Sequence, residues 1–180
     1  MVGKNSRGNS AEMNSSGQTV WREIVRSLSL RPHPEGGYYR EVFRSPTYVT
    51  TGAHVRSSGT SIYYLLAEGA YSAWHRIDAD EVWYFHSGDG LKLHVLQGDG
   101  SLHSHHLADP LLHKDAVFQA TVPAGSWFAA ELSNESGYAL VSCAVVPGFE
   151  FSGFELAVED DLAHAVSRHG GWLRRLLKKA

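Results

Sequence analysis

The sequence predicts an all-β domain, a sandwich or barrel of short antiparallel strands with a helix at each end. Three observations carry that prediction. The runs "YYREVF", "TSIYYLL", "EVWYFH", "LKLHVL", "SLHSHHL", "AVFQATV", "SWFAAEL" and "YALVSCAVV" are short and rich in β-branched and aromatic residues. Turn-forming stretches lie between them: "SPTYVTTG", "HSGDG", "QGDG", "PAG" and "SNESG". Long helical patterns do not alternate with these runs, which excludes a βαβ architecture.

The elements follow in order. Residues 1–18, "MVGKNSRGNSAEMNSSGQ", are polar and Gly/Ser/Asn-rich. They are expected to form a disordered tail, because they bury too little surface to offset the entropy of ordering. A single domain is expected over 19–180, with its barrel at about 36–156. Over 19–30, Val20, Trp21, Ile24, Val25 and Leu28 recur at helical spacing, with Thr19 placed to cap. "RPHPEGG" then breaks the pattern. Strands follow to about residue 156. The chain turns helical again over 157–179, where Leu162, Val166, Leu173 and Leu176 share a side and Gly170-Gly171 interrupt. The basic residues at that end suit a helix C-terminus.

Composition excludes several functions. A length of 180 residues fits one domain, and 43% hydrophobic residues supply a sizeable core. A net charge of −3 favours neither nucleic acid nor an anionic membrane. No apolar run approaches the ~18 residues of a membrane helix, and the polar start lacks a secretory h-region. Cys143 is the sole cysteine, which excludes an internal disulfide and leads us to expect a cytoplasmic protein. Lying in an apolar run, its thiol is expected to be inert.

The stretch "GAYSAWHRIDADEVWYFHSG" carries the most chemistry. Residues two apart on a strand share a face, so His75 pairs with Ile77, and Glu81 with Trp83 and Phe85. Gly69, His75, Glu81 and Gly88 stand at the spacing of the first cupin motif, with Ile77 where a second histidine belongs. "PAGSWFAAEL" keeps Pro123 and Gly125 of the second motif but has Phe128 in place of histidine and Leu132 in place of asparagine. Together with "RPHPEGGYYREVFRS", "TSIYYLL", "VPAGSWFAAEL" and "VVPGFEFSGFELA", in order over about 19–178, the chain resembles a small-cupin branch of unknown function. The resemblance implies an RmlC-like jelly roll, commonly a homodimer, with a small-molecule pocket inside the barrel.

Hydrocarbon at positions 77 and 128 cannot donate an electron pair, so cupin logic leaves only His75 and Glu81 as metal ligands. No cofactor is therefore expected, and a divalent metal is the lesser alternative. The same two residues can instead do acid–base work, with Glu81 orienting His75 inside apolar walls. Sugar epimerases on this jelly roll work with a histidine base and an opposing tyrosine. The family resemblance supplies no settled reaction; these residues lead us to expect a metal-independent isomerase or epimerase acting on a small polar, carbohydrate-like molecule. Tyr39 is the first candidate for the tyrosine, because it shares a strand face with Glu41 and Phe43. Arg40, near the barrel mouth, is a candidate clamp for a carboxylate or phosphate, and Gln119 and Ser142 are further candidate pocket residues beside Ile77, Trp83, Phe85 and Phe128. A metal-dependent oxygenase or lyase and a non-catalytic binding protein stand as alternatives. His103, His105, His106 and His113 crowd a polar segment that reads as a solvated edge strand, not a metal site.

Overall fold

The computed structural model describes residues 20–52 and 54–179, so the expected N-terminal tail and the cap at Thr19 lie outside the described residues. A helix over 20–27 (α1) opens the described chain. Two antiparallel-rich sheets of six strands follow. The first runs β1 (Arg31–Pro32), β2 (Tyr38–Arg44), β5 (Thr60–Ala67), β13 (Tyr138–Val146), β7 (Asp80–Gly88) and β11 (Gln119–Val122). The second runs β10 (Ala116–Val117), β9 (Leu102–Leu107), β8 (Leu91–Leu96), β12 (Trp127–Leu132), β6 (Tyr71–Arg76) and β14 (Glu155–Leu156). Non-consecutive neighbours, such as β5–β13–β7 and β8–β12–β6, give the crossovers of the expected jelly roll. A separate hairpin, β3 (Tyr48–Thr51) with β4 (His54–Ser57), stands where the sequence predicts only a turn. Its Val49, Thr50 and Thr51 have the β-branched character that favours pairing.

Alternation builds the core. Leu91, Leu93 and Val95 of β8 point between the sheets, where they meet Trp83, Phe128 and Val141. Lys92, His94 and Leu96 point the other way, and the C-terminal segment covers two of them. That segment is a 3-10 turn (Glu159–Leu162), a short helix α2 (Ala163–His169) and a second 3-10 stretch (Gly171–Leu176). Leu162, Val166, Leu173 and Leu176, grouped by helical spacing in the sequence, all pack on Trp74, Leu96 and Ala129 of the second sheet's outer face. Beneath them His94 is 4% exposed, bonded to Ser104 Oγ at 2.7 Å and Glu131 Oε1 at 3.2 Å. On the other side of the molecule, Trp21, Ile24, Val25 and Leu28 of α1 cover Leu65 and Ala67 of the first sheet. No helix among the described residues is long and apolar enough to cross a membrane.

Candidate functional site

A cavity of about 180 Å³ opens at one end of the barrel, between the two sheets. Its polar floor is assembled from three places. His75 comes from β6, Glu81 from β7 and Glu35 from the loop between β1 and β2. The sequence reading oriented His75 with Glu81. The structure instead pairs His75 Nε2 with Glu35 Oε2 at 3.0 Å, both side chains being almost wholly buried. Its other nitrogen, Nδ1, lies 2.7 Å from the Ala73 carbonyl, which can only accept. Nδ1 therefore carries a hydrogen, and Nε2 faces the Glu35 carboxyl. With both ring nitrogens engaged inside the protein, His75 orients Glu35, and both side chains line the cavity.

The loop holds Glu35 firmly. Its carbonyl accepts the Ala73 N–H at 2.9 Å, its Oε1 accepts the Ser72 hydroxyl at 2.8 Å, and the next carbonyl, of Gly36, accepts the Tyr64 hydroxyl at 2.8 Å. Two glycines allow this approach. Gly36 has φ +121°, and a Cβ there would lie 2.1 Å from the Tyr71 carbonyl oxygen. "PEGG" was thus a visible sign of a loop pressed against strands, although its glycines read only as a breaker. Tyr64 spends its hydroxyl on Gly36, and burial pushes its pKa well up, with the Glu35 charge adding to the effect. Tyr39, also on the cavity wall, makes no such bond among the described residues and is the phenol left to face a ligand.

Glu81 is a different kind of carboxyl. Burial, and then the nearby Glu35, push it up to about 8 against its ordinary 4.5, while Cys143 and Trp83 partly oppose the rise. The Trp83 indole N–H is buried and lacks a partner of good hydrogen-bond geometry, so its help is electrostatic. At neutral pH Glu81 is a carboxylic acid with a proton to offer. Burial also raises the Cys143 thiol well above its usual value, which keeps it protonated and unreactive.

The remaining candidates fall into three groups. Ile77 lines the cavity. Phe128, Trp83 and Phe85 lie in the core that backs it, the Phe128 ring centred 3.9 Å from that of His75 and tilted by 53° to it. Arg40, Gln119 and Ser142 are not on the cavity wall. Arg40 donates to the Leu28 carbonyl at 2.7 Å on the outer face, tying β2 to the end of α1. Gln119 is exposed opposite Tyr84, and Ser142 bonds His86 on that same outer surface. The cation of β2 that does reach the mouth is Arg44. A bulge between Glu41 and Phe43 shifts the alternation. Phe43, expected to share a face with Tyr39, is 53% exposed, and Arg44 turns to the wall beside Glu41. Arg44 is held there by Glu41 at 3.0 and 2.9 Å and by Glu150 at 2.9 Å.

A cupin-type metal does not fit this donor set. Hydrocarbon stands at Ile77 and Phe128, and among the described residues no three His, Cys, Asp or Glu side chains are arranged to hold an ion. Of the crowded histidines, His103, His105 and His106 lie on β9 and His113 in the segment after it; His103 and His113 are exposed, His105 and His106 half-buried, and the rings of His106 and His113 stand 5.3 Å apart.

Two six-stranded sheets with a cavity between them define a small double-stranded β-helix barrel. The chain belongs to the family described as cupin superfamily (DUF985), whose profile matches residues 22–157. It is 29% identical over 171 residues to the uncharacterized protein YML079W of Saccharomyces cerevisiae, covering 81% of this chain and 79% of that protein. A hypothetical protein from Leishmania major superposes with a TM-score of 0.81 at 31% identity, over 88% of this chain and 98% of the other. Protein SO0799 from Shewanella oneidensis gives 0.77 at 34% identity, over 88% and 97%. A cupin 2 domain-containing protein from Halorhodospira halophila, at 10% identity and 0.54, shares the fold over 83% of this chain and 88% of its own.

Proposed function

We propose that this protein binds a small polar, carbohydrate-like molecule in the barrel and isomerises or epimerises it by metal-independent proton transfer. One observation carries the reading: two carboxyl groups share a cavity in opposite roles. Glu35, oriented by His75, is the base, and Glu81, neutral at working pH, is the acid. Glu35 takes a proton from a carbon next to a carbonyl, the electron pair moves onto the carbonyl oxygen, and the Glu81 O–H stabilises that oxygen. Return of the proton to the other face or the neighbouring carbon completes the reaction with no net change in atoms. Tyr39 is a second donor on the wall.

The test is solvent-deuterium exchange, followed by proton NMR, across aldoses, ketoses and keto acids. We expect one substrate to lose a C–H signal, and Glu35→Gln to slow the loss by about 10²-fold or more, the usual worth of a positioned base. His75→Gln, which keeps a donor toward Glu35, retains more activity than His75→Ala. A ligand that binds in the cavity and keeps every C–H would show a receptor in place of an enzyme.

A further inference from the structure

The charges around the cavity mouth are unevenly satisfied. Arg44 is neutralised by Glu41 and Glu150. Arg31, on the same wall, is exposed and takes part in no ion pair among the described residues, with its guanidinium over the Tyr39 ring at 5.0 Å. Beside it stands His33, whose side chain is only 8% exposed and whose ring meets Tyr39 edge-on at 4.4 Å. Its Nδ1 accepts the Glu35 backbone N–H at 3.3 Å, which places the hydrogen of the neutral ring on Nε2. Burial lowers the His33 pKa more than Glu35 raises it, in keeping with a neutral ring. The Nε2–H meets no protein acceptor among the described residues. It is not one of the fully buried unpartnered atoms, so it is open to the cavity, where an oxygen of a guest can accept from it.

We infer that Arg31 and His33 form an anion subsite at the cavity mouth, which anchors a carboxylate or phosphate oxygen of the ligand. Arg31 gives the fork that suits such a group, and His33 gives a single directed donor without adding charge. The carboxylates of Glu41 and Glu150 repel an anion from the Arg44 side, so they fix which end of the ligand lies where. Size narrows the class further. A cavity of roughly 150 Å³ holds a benzene-sized molecule, and the 180 Å³ here suits a short-chain or monosaccharide acid. The inference rests on the proposed reading only in taking this cavity as the ligand site.

Calorimetric titration with matched pairs tests it: glycerate against glycerol, gluconate against glucitol, galacturonate against galactose, with glycerol 3-phosphate and inorganic phosphate as the phosphate arm. At least one acid should bind tenfold or more tighter than its neutral counterpart, about 1.4 kcal/mol. Arg31→Gln should erase that preference, Arg31→Lys should keep part of it, and His33→Phe should reduce it. Arg31 is exposed, so its variants keep the fold, and a thermal melt verifies this. Stronger binding of the phosphates than of the carboxylates assigns phosphate as the anchored group. Equal behaviour of acids and neutral partners across the panel, or a preference that survives Arg31→Gln, overturns the inference. Glu35→Gln should slow proton exchange by about 10²-fold or more and leave the anion preference in place, so this inference and the proposed function fail separately.

Discussion

Replacing Glu81 by glutamine separates the ionisation of one buried group from everything else in the fold. Glutamine has the shape of the neutral acid and cannot ionise. The folded chain holds the Glu81 proton up to about 8, against 4.5 for a free carboxyl. Below pH 4.5 both folded and unfolded chains are protonated and Glu81 contributes its full stability. Between those values the unfolded chain releases the proton and the folded chain keeps it, so stability falls as pH rises. Each pH unit is worth about 1.4 kcal/mol, and from pH 5 to pH 8 the loss is roughly 4 kcal/mol, an upper bound because water entering the cavity solvates the carboxylate. Urea unfolding of both proteins at pH 5, 6, 7 and 8 should give curves that nearly coincide at pH 5. They should diverge steadily in favour of Glu81→Gln above it. All other titrating groups cancel in the difference. A difference that does not change with pH would mean that Glu81 is ionised throughout, and the acid of the proposed mechanism would be lost.

Three further perturbations follow from the packing. Phe128→Ala empties a fully buried site against His75 and Trp83; it should cost about 3–5 kcal/mol in urea unfolding. Gly36→Ala sets a Cβ 2.1 Å from the Tyr71 carbonyl at a φ that disfavours side chains. It should cost more than about 1–3 kcal/mol in thermal or urea unfolding and, by moving Glu35, shift the His75 ring signals in NMR. Glu131 behaves in the opposite sense to Glu81. Burial would raise its pKa, but His94 and Arg175 outweigh burial and hold it at about 2. Its contribution is therefore present above pH 4.5 and lost as pH falls toward 2, so Arg175→Ala should move acid unfolding, followed by circular dichroism, to higher pH.

Local patterns carried much of this architecture. Period-two alternation oriented the residues of β6 and β7, and the cavity is lined by His75, Ile77 and Glu81. Helical spacing found the apolar side of the C-terminal segment. What escaped was tertiary. Glu35 sits in a loop with no periodicity, and its pairing with His75 depends on how that loop lies across β6. Tyr39 and Phe43 part company because a bulge inserts an extra residue, which alternation cannot see. Gln119 and Ser142 belong to strands of the barrel, but which way each points follows from register with β7 and β5, settled only in the assembled sheet.

The origin of Glu35 has a consequence for how this barrel can diversify. His75 and Glu81 are rungs of two sheets, whereas their counterpart hangs from the connector of residues 33–37 between β1 and β2. Exchanging that connector between relatives would replace the base and the residues around it at a stroke while leaving every ladder of the β-framework untouched. Chimeras of this kind offer a compact way to move selectivity from one scaffold to another.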